Sequence, residues 1–202
     1  RLTQTIHSCV PLGLALWLLT WFVPQYDQTE RIILFAAFAA VPLVLFAVLQ
    51  SAENVPSAPS RTGAQDTLLR LLAALLPAGA AALAGSFLLA PGAAAGVLAL
   101  PWSAATFAIA ALGARIITGR LRNPRSDRDR LRNGRVMDGE PRHRADPVGR
   151  TAGAAAVFKA IGCVYIAVAG VWLAAHQFGV PLLGFAGQIM LLTVNHFHYA
   201  GF

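Results

Sequence analysis

The last eight residues, NHFHYAGF (Asn195 to Phe202), place an asparagine, two histidines and a tyrosine directly behind an apolar run, LLGFAGQIMLLTV. A lipid-facing helix would hold leucine at such positions, and polar groups inside a membrane are costly enough to mark function. A neutral imidazole donates and accepts near neutral pH, so histidine suits hydrogen-bond recognition, acid–base chemistry and metal ligation. The candidate ligand-binding residues are Asn195, His196, His198 and Tyr199, with Gln188 earlier on the same helix and Lys159 on the helix before it. At ~100° per residue, Gln188, Asn195 and Tyr199 share one stripe, and the two histidines flank it roughly 160° apart. One metal ion does not easily take both, so no metal site is assigned. His198 is the expected pocket residue, because Gly184 and Leu191 flank its side. His196 is the expected supporting partner, bonded across to the helix that carries Cys163.

Other chemistry is limited by what the apolar stretches lack. They hold no Asp or Glu, which argues against a carboxylate proton relay and against an aspartate-rich magnesium–diphosphate site. No C-x-x-C-H is present, which excludes covalent haem. Cys9 and Cys163 both fall in apolar stretches and read as unpaired, buried small hydrophobes.

These side chains need a scaffold, and the scaffold is a membrane bundle. The chain has 202 residues, 56% hydrophobic and 12% charged, with mean hydropathy +0.59. That charge share is about half that of soluble domains. No Asp, Glu, Lys or Arg occurs from Leu2 to Tyr26, Ile32 to Ala52, Leu71 to Ala114 or Ala160 to Phe202. A hydrocarbon core of ~30 Å takes ~20 helical residues. The first two stretches fit one span each; the last two fit two spans joined by a tight turn, at Pro91–Gly92 and at Gly179–Pro181. The expected fold class is all-α: a single transmembrane domain, 1–202, of six helices near 5–24, 32–50, 68–89, 93–117, 153–177 and 181–202. Pro42, Pro77 and Pro101 predict kinks, and Gly92 with Gly96 forms a G-x-x-x-G suited to close helix approach.

The charges orient the bundle. Eleven of the 16 basic residues are arginines between Arg115 and Arg150. This makes the basic loop at 119–150 cytoplasmic by the positive-inside rule. The loop lacks interleaved aromatics, so its expected partners are membrane lipid headgroups and no nucleic acid. Folding the last two helices about Gly179 brings Lys159 level with Tyr199 to Phe202 and Cys163 level with His196. The polar groups then meet in the cytoplasmic third of the membrane, near Gln4, His7 and Ser8 of the first helix.

The ending HFHYAGF, His196 to Phe202, resembles a motif of the YndJ-like family of bacterial multi-pass membrane proteins, some of which are loosely called transporters. The resemblance implies a multi-helix bundle in which the His-Phe-His block recurs, and a chain that continues with further helices. It carries no catalytic assignment. Three functions remain open. The first is binding or transport of a small lipid-soluble or weakly polar molecule in a mostly apolar pocket. The second is an intramembrane acid–base enzyme, an isomerase or cyclase, with Tyr199 or Lys159 as partner acid. The third is a haem or copper protein that pairs His7 with His196 or His198.

Overall fold

The computed structural model describes residues 2–53, 63–122, 147–185 and 187–199. Among them the only regular structure is helical: α1 (Leu2–Leu19), α2 (Gln28–Phe35), α3 (Val41–Glu53), α4 (Gly63–Phe87), α5 (Ala93–Arg122), α6 (Pro147–Gln177) and α7 (Gln188–Tyr199). A π-helical turn, Ala36–Ala40, joins α2 and α3 into one rod, so the described residues form six helical rods, the number of helices expected. Four stretches are long and apolar enough to cross a membrane: Gln28–Ala47, Leu69–Phe87, Ala93–Arg115 and Val157–Gln177. The apolar helix Val10–Phe22 is shorter, and the 12-residue α7 rises about 18 Å. Large apolar side chains cover the outside, including Leu43, Leu71, Val97, Phe107, Phe158 and Leu192. That is how a bundle solvated by lipid should look, since hydrocarbon outside costs apolar surface nothing.

Local sequence explains the helix ends. In DQTE, the Asp27 carboxylate accepts from the Glu30 backbone N–H at 2.8 Å and the Glu30 carboxylate accepts from the Asp27 N–H at 2.9 Å. This reciprocal capping box starts α2. The π turn has its cause in Pro42, which has no N–H to offer the carbonyl of Phe38 four residues back. The Val41 N–H reaches instead to Ala36, five residues back. α1 crosses close to this turn: any Cβ on Gly13 would overlap the Phe38 carbonyl oxygen. Pro11, Pro77 and Pro101 sit inside unbroken α-helices.

The loops at 23–27, 88–92 and 178–187 meet at one end, as up-and-down alternation requires. The Tyr26 hydroxyl donates to Ala84 O at 2.9 Å, and the Gly92 N–H donates to Gln177 O at 2.7 Å. Burial, and then the charge of Glu30, push the Tyr26 phenol up from its ordinary 10.0. The last helix starts later than expected, at Gln188 rather than at 181. Leu182 and Phe185 exchange backbone hydrogen bonds of 3.1 and 2.9 Å around Leu183 (φ 52°) and Gly184 (φ 80°). Two positive φ values in sequence make a tight reversing turn, and Gly187 (φ 59°) completes the break before the helix begins. Residues 123–146, most of the basic loop, lie outside the described residues.

Packing centres on α5. It runs against α4 and α6, and α7 lies against α6 and α2. Glycines set the α5–α6 distance: a Cβ on Gly113 would overlap the Ala160 carbonyl and Cys163, and one on Gly170 would overlap the Thr106 hydroxyl. Between these points the Ser103 hydroxyl donates to Gly170 O at 3.1 Å. The G-x-x-x-G splits in two roles. Gly96 leaves room for the Phe178 ring, while a Cβ on Gly92 would meet only the Ala90 carbonyl oxygen at 3.9 Å, and Gly92 serves through its backbone N–H.

Candidate functional site

α7 carries the polar block into the bundle, and its two flanks meet different surroundings. His198 is fully buried, with 0% of its surface exposed, among the largest buried side chains of the described residues. Its ring stacks on Trp102 of α5, with centroids 6.1 Å apart and planes 19° apart. His196 is exposed, and its ring meets the edge of Phe197 at 5.7 Å. An exposed ring is not the buried support expected beside Cys163, which is itself buried and unpaired. The opposite fates of the two histidines follow from their ~160° separation on the helix.

The His198 hydrogen bond fixes the chemistry of its ring. Nδ1 lies 2.9 Å from the carbonyl oxygen of Val194, one turn back. A carbonyl only accepts, so Nδ1 carries the proton and donates. No carboxylate lies among the described core residues to balance an imidazolium, and an unpaired buried cation is costly. The neutral ring therefore holds a lone pair on Nε2. That nitrogen is buried and has no hydrogen-bond partner among the described residues. The indole N–H of Trp102, also 0% exposed, likewise has no partner, and nor does the shielded Oδ1 of Asn195. Each such group in a dry interior costs on the order of 1–3 kcal/mol. Ser86, Ser103 and Thr106 donate to backbone carbonyls at 2.7 to 3.3 Å, while Gln177 Nε2 and Arg31 Nε, away from this centre, also have no partner among the described residues.

The remaining sequence candidates do not converge on this point. The Tyr199 hydroxyl donates to Ile32 O of α2 at 3.0 Å, which ties the end of α7 to the turn before the π segment. Gln188 is exposed at the start of α7, about 15 Å along the axis from His198. Phe197 stacks on Tyr165 at 5.7 Å. A hairpin about Gly179 would have set Phe197 level with residue 162, so the polar block lies about 4.5 Å further from the α6 start. The reason is the ten-residue connection, 178–187, whose middle is the true pivot. Lys159 lies six residues before Tyr165 on α6, about 9 Å along the axis. Trp102 sits nine residues after Ala93 in the span Ala93–Arg115, so the centre is near mid-span and not in the cytoplasmic third expected. The side chains of Gln4, His7 and Ser8 lie outside the described residues, and so does the pairing of His7 with either histidine.

Trp102 was not among the sequence candidates. Its signal is position: a tryptophan in the middle of an apolar run, directly after a proline, when interfacial belts are where tryptophan collects.

The YndJ-like protein family matches residues 31–202, all but the first 30 residues. The chain belongs to the YndJ-like family. The match reaches from Arg31 at the start of α2 to the His-Phe-His block, so both partners of the Tyr199–Ile32 bond fall inside it. No curated protein and no solved structure matches this YndJ-like chain. Among its described residues no group of three or more His, Cys, Asp or Glu is placed to hold a metal ion.

Proposed function

We propose that this YndJ-like chain binds or transports a small lipid-soluble or weakly polar molecule at a centre formed by His198, Trp102 and Asn195. The observation that carries the reading is the pair of stacked, fully buried rings whose Trp102 N–H and His198 Nε2 have no partner among the described residues. Unmet hydrogen-bonding groups persist in a core when something other than structure uses them. Tyr199 and its bond to Ile32 O hold α7 in place for this role. The proposed setting is the bacterial inner membrane, with the basic loop at 119–150 cytoplasmic against lipid headgroups.

For the acid–base reading Tyr199 is already committed, since its hydroxyl donates to Ile32 O. The test of the binding reading is mass spectrometry of small molecules extracted from wild-type, Trp102→Phe and His198→Phe protein purified from native membranes. A compound retained by the wild type and lost from both variants supports binding. Identical extracts from all three proteins, each folded, would overturn it.

A further inference from the structure

The stacked pair also says what kind of group it takes, an inference that rests on the binding reading above. We infer that the His198–Trp102 centre binds one neutral hydroxyl, which donates its proton to His198 Nε2 and accepts from the Trp102 indole N–H.

The argument is complementarity. The centre offers a donor, Trp102 Nε1–H, and an acceptor, the His198 Nε2 lone pair, both buried and both without a partner among the described residues. The acceptor role is not a free choice, because Nδ1 is committed as donor to Val194 O. A group that fits must therefore donate and accept at one atom. A hydroxyl does; an ether or ketone can only accept, and an alkane does neither. A charged group is disfavoured, since no described core residue carries a balancing charge. The two nitrogens belong to neighbouring stacked rings, with centroids 6.1 Å apart and planes 19° apart. The surroundings are apolar, with Ala99, Ala105, Ala169 and Leu173 in the same core cluster. The remainder of a bound molecule should therefore be hydrocarbon. Two sources can supply this hydroxyl: a lipid-soluble alcohol or an internal water. Water has a second proton, and Asn195 Oδ1, unpartnered and one turn before His198, is an acceptor for it.

The test uses the full chain in lipid nanodiscs, with nitrogen-15 NMR of the Trp102 indole N–H and of His198 Nε2. Resonances are assigned by their loss in Trp102→Phe and His198→Phe. The probes are 1-octanol, 1-methoxyoctane and octane. With an alcohol as occupant, 1-octanol shifts both nitrogens saturably, 1-methoxyoctane binds about tenfold more weakly or worse, and octane has no effect. With water as occupant, no probe shifts either nitrogen and the Trp102 N–H shows a cross-peak to a bound water. The hydroxyl inference then holds, and the small-molecule reading falls. If 1-methoxyoctane binds as tightly as 1-octanol, the site takes a ligand without donating to His198. The hydroxyl inference is then overturned while the binding reading stands. No probe response and no water cross-peak overturns both.

Discussion

The two flanks of α7 carry the same residue type two positions apart, and they meet opposite worlds. His198 is sealed against Trp102 with one nitrogen bonded and the other unmet. His196 stands exposed beside Phe197. The difference teaches that the His-Phe-His block is not one site with two equal ligands. One histidine is built into the centre of the bundle and the other faces outward, with Phe197 between them stacked on Tyr165 to hold the helix rotation.

The comparison can be broken or sharpened by substitution. The largest effect is expected from Gly170→Leu, which forces a side chain into Thr106 and spreads α5 from α6, the frame that holds Trp102. It should cost about 3 kcal/mol or more, read as a large fall in Tm in detergent. His198→Ala should follow, at about 2–4 kcal/mol, because it opens a cavity where a fully buried ring stacks. His196→Ala should stay within about 0.5 kcal/mol. Equal losses from the two histidine variants in the same unfolding assay would erase the distinction between the flanks.

Smaller effects sharpen it. Trp102→Phe keeps a ring to stack on His198 and removes only the unmet N–H, so its stability should change by under about 1 kcal/mol while bound small molecule is lost. Tyr199→Phe deletes the bond to Ile32 O and should cost about 0.6 kcal/mol, the usual worth of such a bond between membrane helices. The smallest effect belongs to Tyr26 at the looped end. Its phenol is raised in the folded state, so its contribution is whole below the unfolded value of 10.0 and is lost as pH rises through the folded value. Melting curves from pH 9 upward should fall faster for the wild type than for Tyr26→Phe.

How much of this was legible depends on the range of the interaction. The six helices were legible because charge-free runs and Pro–Gly pairs are local signals, and Pro91–Gly92 sits in the turn they predicted. The start of α7 was not. Pro181 to Phe185 is as apolar as a helix, and only the positive φ at Leu183, Gly184 and Gly187 reveals a turn there. That single misplacement moved the expected pivot and with it the depth of the polar block. The opposed histidines were legible from helical periodicity. The partner of His198 was not, since nothing in the sequence near residue 198 names a tryptophan 96 positions earlier. The π turn was half legible: Pro42 announced an irregularity, but Pro77 and Pro101 announced the same and lie inside continuous α-helices.

The central claim is that His198 presents a lone pair, not an N–H, to the middle of the bundle. The most direct measurement is the nitrogen-15 spectrum of the histidine rings in the reconstituted full chain at neutral pH, with His198 assigned by its loss in His198→Phe. The account predicts a neutral ring protonated at Nδ1, with an unprotonated Nε2. A His198 ring protonated at Nε2 alone, or at both nitrogens, would contradict it.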